Sequence, residues 1–142
     1  MKQIITRFTT DAELARKFGG WGSMDVEVCG STVKFGVADT WLRDDITVDV
    51  VDAVDTLGYM LSEHPRKPIT CQIEAKSKTM DGTPKKMQFQ RKTRSVYENT
   101  NVPASAIEST METYISVGTG KCTIILAEED VKEMLSIFSP AL

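Results

Sequence analysis

Between residues 69 and 94 apolar and polar side chains alternate on both sides of one turn, and this alternation leaves the backbone little choice. Successive side chains of a strand point to opposite faces. Cys71, Ile73 and Ala75 therefore share a face with Met87 and Phe89, the core side. Gln72, Glu74, Lys76 and Lys78 share the other face with Lys86, Gln88, Gln90, Lys92 and Arg94. Strands at about 69–79 and 83–94, joined by a short loop, must pair antiparallel. Matching the apolar faces selects the register. A two-residue Asp81-Gly82 loop sets Lys76 against Met87 and mixes the faces. A three-residue loop, Met80-Asp81-Gly82, sets Ala75 against Met87 and Ile73 against Phe89, and puts Gly82 where such loops take a left-handed residue. This register predicts Lys76 directly opposite Lys86, a like-charge pair that disfavours folding by only a few tenths of a kcal/mol when exposed.

The rest of the chain reads as strands and helices in alternation. Residues 2–9 form a strand, and Thr10 or Asp11 caps a short helix with Leu14, Ala15 and Phe18 on one side. The segment GGWG, 19–22, makes a tight turn, and residues 24–38 a hairpin reversing at Gly30-Ser31. Ile46, Val50, Val54, Leu57 and Leu61 recur at helical spacing with Asp49, Asp52 and Asp55 opposite, which predicts a helix over about 45–62 capped by Asp44 or Asp45. Pro65 and Pro68 make a connector. Residues 95–105 read as a loop and 103–109 as a short turn or helix. Strands follow at 111–117 and 121–127 around Gly118-Thr119-Gly120. Val131, Met134, Leu135 and Phe138 form one stripe of a helix over about 128–138. The expected fold is α+β: a single domain, 1–142, with a mostly antiparallel sheet of about six strands and both main helices packed on one face. The apolar run TIILA does not suit an exposed edge, so its strand is expected to be central or paired with another chain, which makes a homodimer a natural expectation.

Charge is the feature that bears on function. The chain carries a net charge of −3, yet residues 66–94 hold nine basic and two acidic residues, and residues 39–63 one basic and seven acidic. The basic hairpin, with Lys76, Lys78, Lys86, Gln88, Gln90, Lys92 and Arg94 facing outward, suits an acidic partner. An acidic protein surface, including the acidic helix of a second copy, is matched by charge complementarity of this kind. DNA or RNA phosphates are the alternative, with the glutamines adding hydrogen bonds, but no aromatic side chain stands among the outward residues to stack bases. A hairpin arm in solvent carries the same pattern, since lysine-rich strands resist edge-to-edge pairing.

The residues do not assemble into a catalytic signature. His64 is the single histidine and sits beside Pro65 in a connector. No GxSxG, HExxH or Walker A pattern occurs, and GGWG and GTG suit turns better than phosphate cradles. Asp39, Asp45, Asp49 and Asp52 have no accompanying base, so no metal-dependent chemistry is expected. Cys29, Cys71 and Cys122 lack metal-ligand spacing and read as buried reduced thiols. The chain is thus expected to be non-catalytic, to need no cofactor or metal, and to lack a membrane span or signal peptide. The cytoplasm, or the host cytoplasm for a viral gene, is the expected setting.

Overall fold

Short loops between alternating segments produce, in the computed structural model, two four-stranded antiparallel sheets rather than one sheet of about six strands. The structure describes residues 5–64, 67–78, 82–95 and 111–142, the side chains of 77, 78, 95 and 111 excepted. The first sheet runs in chain order: β1 (Ile5–Thr9), β2 (Ser23–Cys29), β3 (Thr32–Ala38) and β4 (Arg43–Asp49). The helix α1 (Ala12–Phe18) lies between β1 and β2, with Asp11 Oδ1 accepting from the backbone N–H groups of Glu13 and Leu14. A second helix, α2 (Val50–Ser62), leads to the second sheet, β5 (Ile69–Lys78), β6 (Pro84–Ser95), β7 (Met111–Gly118) and β8 (Thr123–Leu126). The chain closes with α3 (Glu128–Phe138) and a 3-10 turn, Ser139–Ala141. The segment 96–110, where a loop and a short turn or helix are expected, lies outside the described residues.

One contiguous core joins both sheets to α2 and α3. Phe35 of β3 meets Phe89 of β6 and Phe138 of α3 edge-on, with ring centroids 6.2 and 5.7 Å away. The C-terminal stripe behaves as expected: Val131, Met134 and Phe138 are fully buried and Leu135 packs at the margin.

The predicted helix over 45–62 is shorter by five residues. Residues 43–49 are strand β4, with Ile46 and Val48 inward, and α2 begins at Val50. Both periods fit these residues, and β-branched Ile46, Thr47 and Val48 tip the balance toward a strand. Moving the start of the helix also turns its face. Val50, Ala53, Leu57 and Met60 are buried, while Val51 is 52 % exposed.

The β5–β6 register is split. At the tip Lys78 stands opposite Pro84, as the three-residue loop requires. An irregularity between Glu74 and Lys78 then shifts the ladder, so that Ile73 pairs with Met87, Cys71 with Phe89 and Glu74, not Lys76, with Lys86. A cross-strand carboxylate replaces the like-charge pair. A shift of two residues preserves the sorting into faces: Cys71, Ile73, Ala75, Met87 and Phe89 are buried, and Gln72, Glu74, Lys76, Lys86 and Arg94 are exposed.

β8 is an edge strand, not a central one, and the chain covers it. The backbone N–H of Ile125 donates to Gly20 O at 2.9 Å, and Thr10 Oγ1 donates to Ile125 O at 2.7 Å. The Gly-rich turn between α1 and β2 thus supplies the partner that TIIL needs.

The outer face of the first sheet carries a charge network. Arg7 Nε donates to Asp25 Oδ1 at 2.7 Å, and Arg43 reaches both Asp25, at 3.4 Å, and Asp45, at 3.2 Å. The Arg7 hydrogen bond, more than any other influence, holds the Asp25 carboxyl below its usual range. A carboxyl depressed in the folded state contributes stability above its unfolded pKa and loses it as pH falls through the folded value. The urea midpoint should therefore fall between about pH 5 and pH 2, and Asp25→Asn should lower it near neutrality while flattening that slope. An unchanged slope in the Asn variant would assign the acid sensitivity elsewhere.

Candidate binding face

The outward residues of the second sheet form one polar surface. Gln72 of β5, Lys86, Gln88, Gln90 and Lys92 of β6, Ser116 and Gly118 of β7 and Thr123 of β8 line a shallow concavity of about 440 Å³. Its floor is low because β7 contributes only Ser116 and Gly118 there. Gln72 Nε2 donates to Gln88 Oε1 across the ladder at 3.4 Å. One end of the face is closed by α1, whose Phe18 stacks on Tyr114 at 4.6 Å and whose Lys17 pairs with Glu112 at 2.6 Å.

The sequence-predicted residues divide into four groups. Lys86, Gln88, Gln90 and Lys92 converge on the concavity. Lys76 is turned aside at the irregularity of β5 and pairs with Asp49, at the start of α2, at 2.9 Å. The acidic and basic blocks therefore meet within the fold at this point. They meet again where Lys85 reaches the buried Asp44 carboxylate at 3.0 Å. Arg94 is exposed at the far end of β6, across the ladder from Glu112. The side chain of Lys78 lies outside the described residues.

Sequence reasoning missed the contribution of β7 and β8. Ser116 and Thr123 alternate with the buried Ile115, Val117 and Ile124, a signal present in YISVG and TIIL. It also missed Arg91, counted with the basic block but fully buried on the inner face. Tyr114 is outward by parity, yet it is buried, so among the described residues no exposed aromatic side chain lines this concavity.

Elsewhere the chemistry is sparse. Among the described residues no group of three or more His, Cys, Asp or Glu side chains is placed to hold a metal ion. No helix among the described residues is long and apolar enough to cross a membrane. Cys71 and Cys122 are buried and burial pushes both thiols up, while Cys29 is only half-buried, contrary to its expected place in the core. Comparison with known proteins gives no match to a family model, a curated protein or a solved structure.

Proposed function

We propose that this chain is a non-catalytic binding protein whose second sheet receives an acidic segment of a protein partner. The observation that carries the reading is the pairing of two lysines, Lys86 and Lys92, with a floor of Gln72, Gln88, Gln90 and Ser116 in one open concavity. Lysines attract and orient a carboxylate-rich chain, and primary amides both donate to and accept from its backbone. That no exposed aromatic among the described residues lines the concavity favours a peptide over a single-stranded nucleic acid, whose bases gain about 1–3 kcal/mol each from stacking. The in-chain pairs of Lys76 and Lys85 narrow the attraction to Lys86 and Lys92.

Fluorescence anisotropy with a labelled glutamate-rich peptide and with single-stranded and duplex DNA and RNA, at two salt concentrations, tests this reading. The peptide should bind, and a Lys86→Ala/Lys92→Ala variant should weaken it about three- to tenfold, two exposed ion pairs being worth under about 1 kcal/mol each. Binding of an oligonucleotide in preference to the peptide, lost in the same variant, would replace the reading with phosphate-backbone recognition.

A further inference from the structure

A second concavity of about 510 Å³ opens at the hairpin ends beside the first, lined by Asp44 of β4, Thr83, Pro84, Lys85 and Lys86 at the head of β6, and Thr119, Gly120 and Lys121 of the β7–β8 turn. Its chemistry is nearly all donor. Lys86 and Lys121 are exposed cations that show no ion pair among the described residues. Lys85 gives one N–H to Asp44 and keeps two. Asp44, the single carboxylate among the described residues of the lining, is 8 % exposed and occupied by that ammonium.

Thr119 adds the feature that distinguishes this place from a scatter of lysines. Its residue is only 8 % exposed, and its Oγ1 accepts the backbone N–H groups of Lys121, at 3.3 Å, and Cys122, at 3.1 Å. Both lone pairs of the hydroxyl are thereby used, and its own hydrogen is left to donate. Among the described residues it donates no hydrogen bond. A fixed hydroxyl donor at the wall of a concavity with a surplus of lysines calls for an anion with several acceptor oxygens. A carboxylate presents two oxygens in one plane. A phosphate group presents three or four in different directions and carries more charge.

We infer that the hairpin-end concavity binds a phosphate group, with Lys86 and Lys121 as its charges and Lys85 and Thr119 as fixed donors. The inference deepens the proposed function and rests on it in one respect. Lys86 and Gly120 line both concavities, so a phosphorylated side chain here would belong to the same acidic partner. Free inorganic phosphate offers the same chemistry from another source.

Amide chemical shifts of the isotope-labelled protein, followed during titration with inorganic phosphate, with an acidic peptide and with its phosphorylated form, separate these possibilities. Phosphate should give saturable shifts confined to Lys85, Lys86 and residues 119–122. Lys121→Ala should weaken it about fivefold, equivalent to about 1 kcal/mol. Lys92→Ala should leave it unchanged, and the phosphorylated peptide should bind tighter than the plain one. Thr119→Ser keeps the hydroxyl and should behave as wild type, whereas Thr119→Val should lose affinity. Shifts spread over all surface lysines, or matched by chloride at equal ionic strength, or indifferent to Lys121→Ala, would overturn the inference. A peptide that binds through Lys92 with no phosphate response at Thr119 sinks the inference and keeps the proposed function. Saturable phosphate binding with no affinity for either peptide does the reverse.

Discussion

Replacing Arg91 with alanine is expected to cost about 3–5 kcal/mol of folding stability, the range seen when one partner of a buried ion pair is removed. Arg91 follows Met87 and Phe89 onto the inner face of β6 and is fully buried. Its guanidinium is a joint between three elements. Nη2 donates to Met60 O at 2.9 Å and to Glu128 Oε1 at 2.6 Å, and Nη1 donates to His64 O at 2.9 Å. The end of α2 has no basic residue in its last turn, so its outgoing carbonyls look to this side chain for donors and for a counter-charge to the helix dipole. Glu128 stands in the first turn of α3, where a carboxylate is itself favoured. Alanine would leave Glu128, 17 % exposed at its side chain, without its cation, take this donor from the Met60 carbonyl, and leave the His64 carbonyl with the Lys67 N–H alone. Among the described residues Arg91 Nε has no hydrogen-bond partner, so within them the arrangement is incompletely satisfied even in the wild type. That makes an apolar replacement of the whole pair informative. Arg91→Met combined with Glu128→Met should recover a large part of the loss, because exchanging a buried ion pair for apolar groups of similar volume is often close to neutral. Urea unfolding of the single and double variants measures both. A loss below about 1 kcal/mol for Arg91→Ala, the scale of an exposed pair, would mean that the guanidinium is not the joint described.

Arg91 also shows where reading the sequence stops. Alternation alone places it inward, on the same parity as Phe89, yet its charge enrols it in the basic block. Only the three-dimensional meeting of the end of α2 with the start of α3 explains an arginine in that row. The same limit appears at residues 43–49. Ile46 and Val50 are one helical turn apart, while Ile46 and Val48 share a strand face, so periodicity cannot choose. The choice came from pairing with β3, a long-range fact. Faces were legible because side-chain parity survives a two-residue slip. The register of the basic hairpin was not, because nothing local announces the irregularity between Glu74 and Lys78. Of the candidate site, the β6 residues Lys86, Gln88, Gln90 and Lys92 could be read directly. Lys76 could not be known to spend its charge on Asp49 until β4 and the basic hairpin were seen side by side. The expectation of a homodimer leaned partly on the apolar β8 strand, whose open edge turns out to be closed by the chain's own residues 10–22.

That closure should be the second most sensitive point of the molecule, with Gly20→Ala expected to cost about 2–5 kcal/mol. Thr10, 2 % exposed, holds the turn: its N–H donates to Gly22 O at 2.9 Å, its hydroxyl accepts from Gly22 N at 3.0 Å, and that hydroxyl donates to Ile125 O. Gly20 must offer its carbonyl to Ile125 from a left-handed backbone, φ +80°, while lying flat on that side chain. A Cβ there would come within 2.6 Å of Ile125 Cγ1. The conformation accounts for about 1–2 kcal/mol of the cost and the overpacking for about 1–3. Gly22 has no such φ, but a Cβ on it would run into both Ile124 Cγ2 and the Ala38 carbonyl, and a backbone oxygen cannot turn away as a side chain can. Gly22→Ala should therefore fall in the same range. Gly58 is the internal control: it lies inside α2 with open space where its Cβ would be, so Gly58→Ala should stabilise by about 0.5–1 kcal/mol. The stabilities would come from urea unfolding and the association state from size-exclusion chromatography of the same samples. Lifting the turn uncovers a short apolar edge with unpaired N–H and C=O groups, which recruits strands from other chains. The Gly20 and Gly22 variants should thus self-associate at concentrations where the wild type and Gly58→Ala keep a common elution volume. Equal elution of all four proteins, with full stability in the Gly20 variant, would show that β8 does not depend on this turn for its partner.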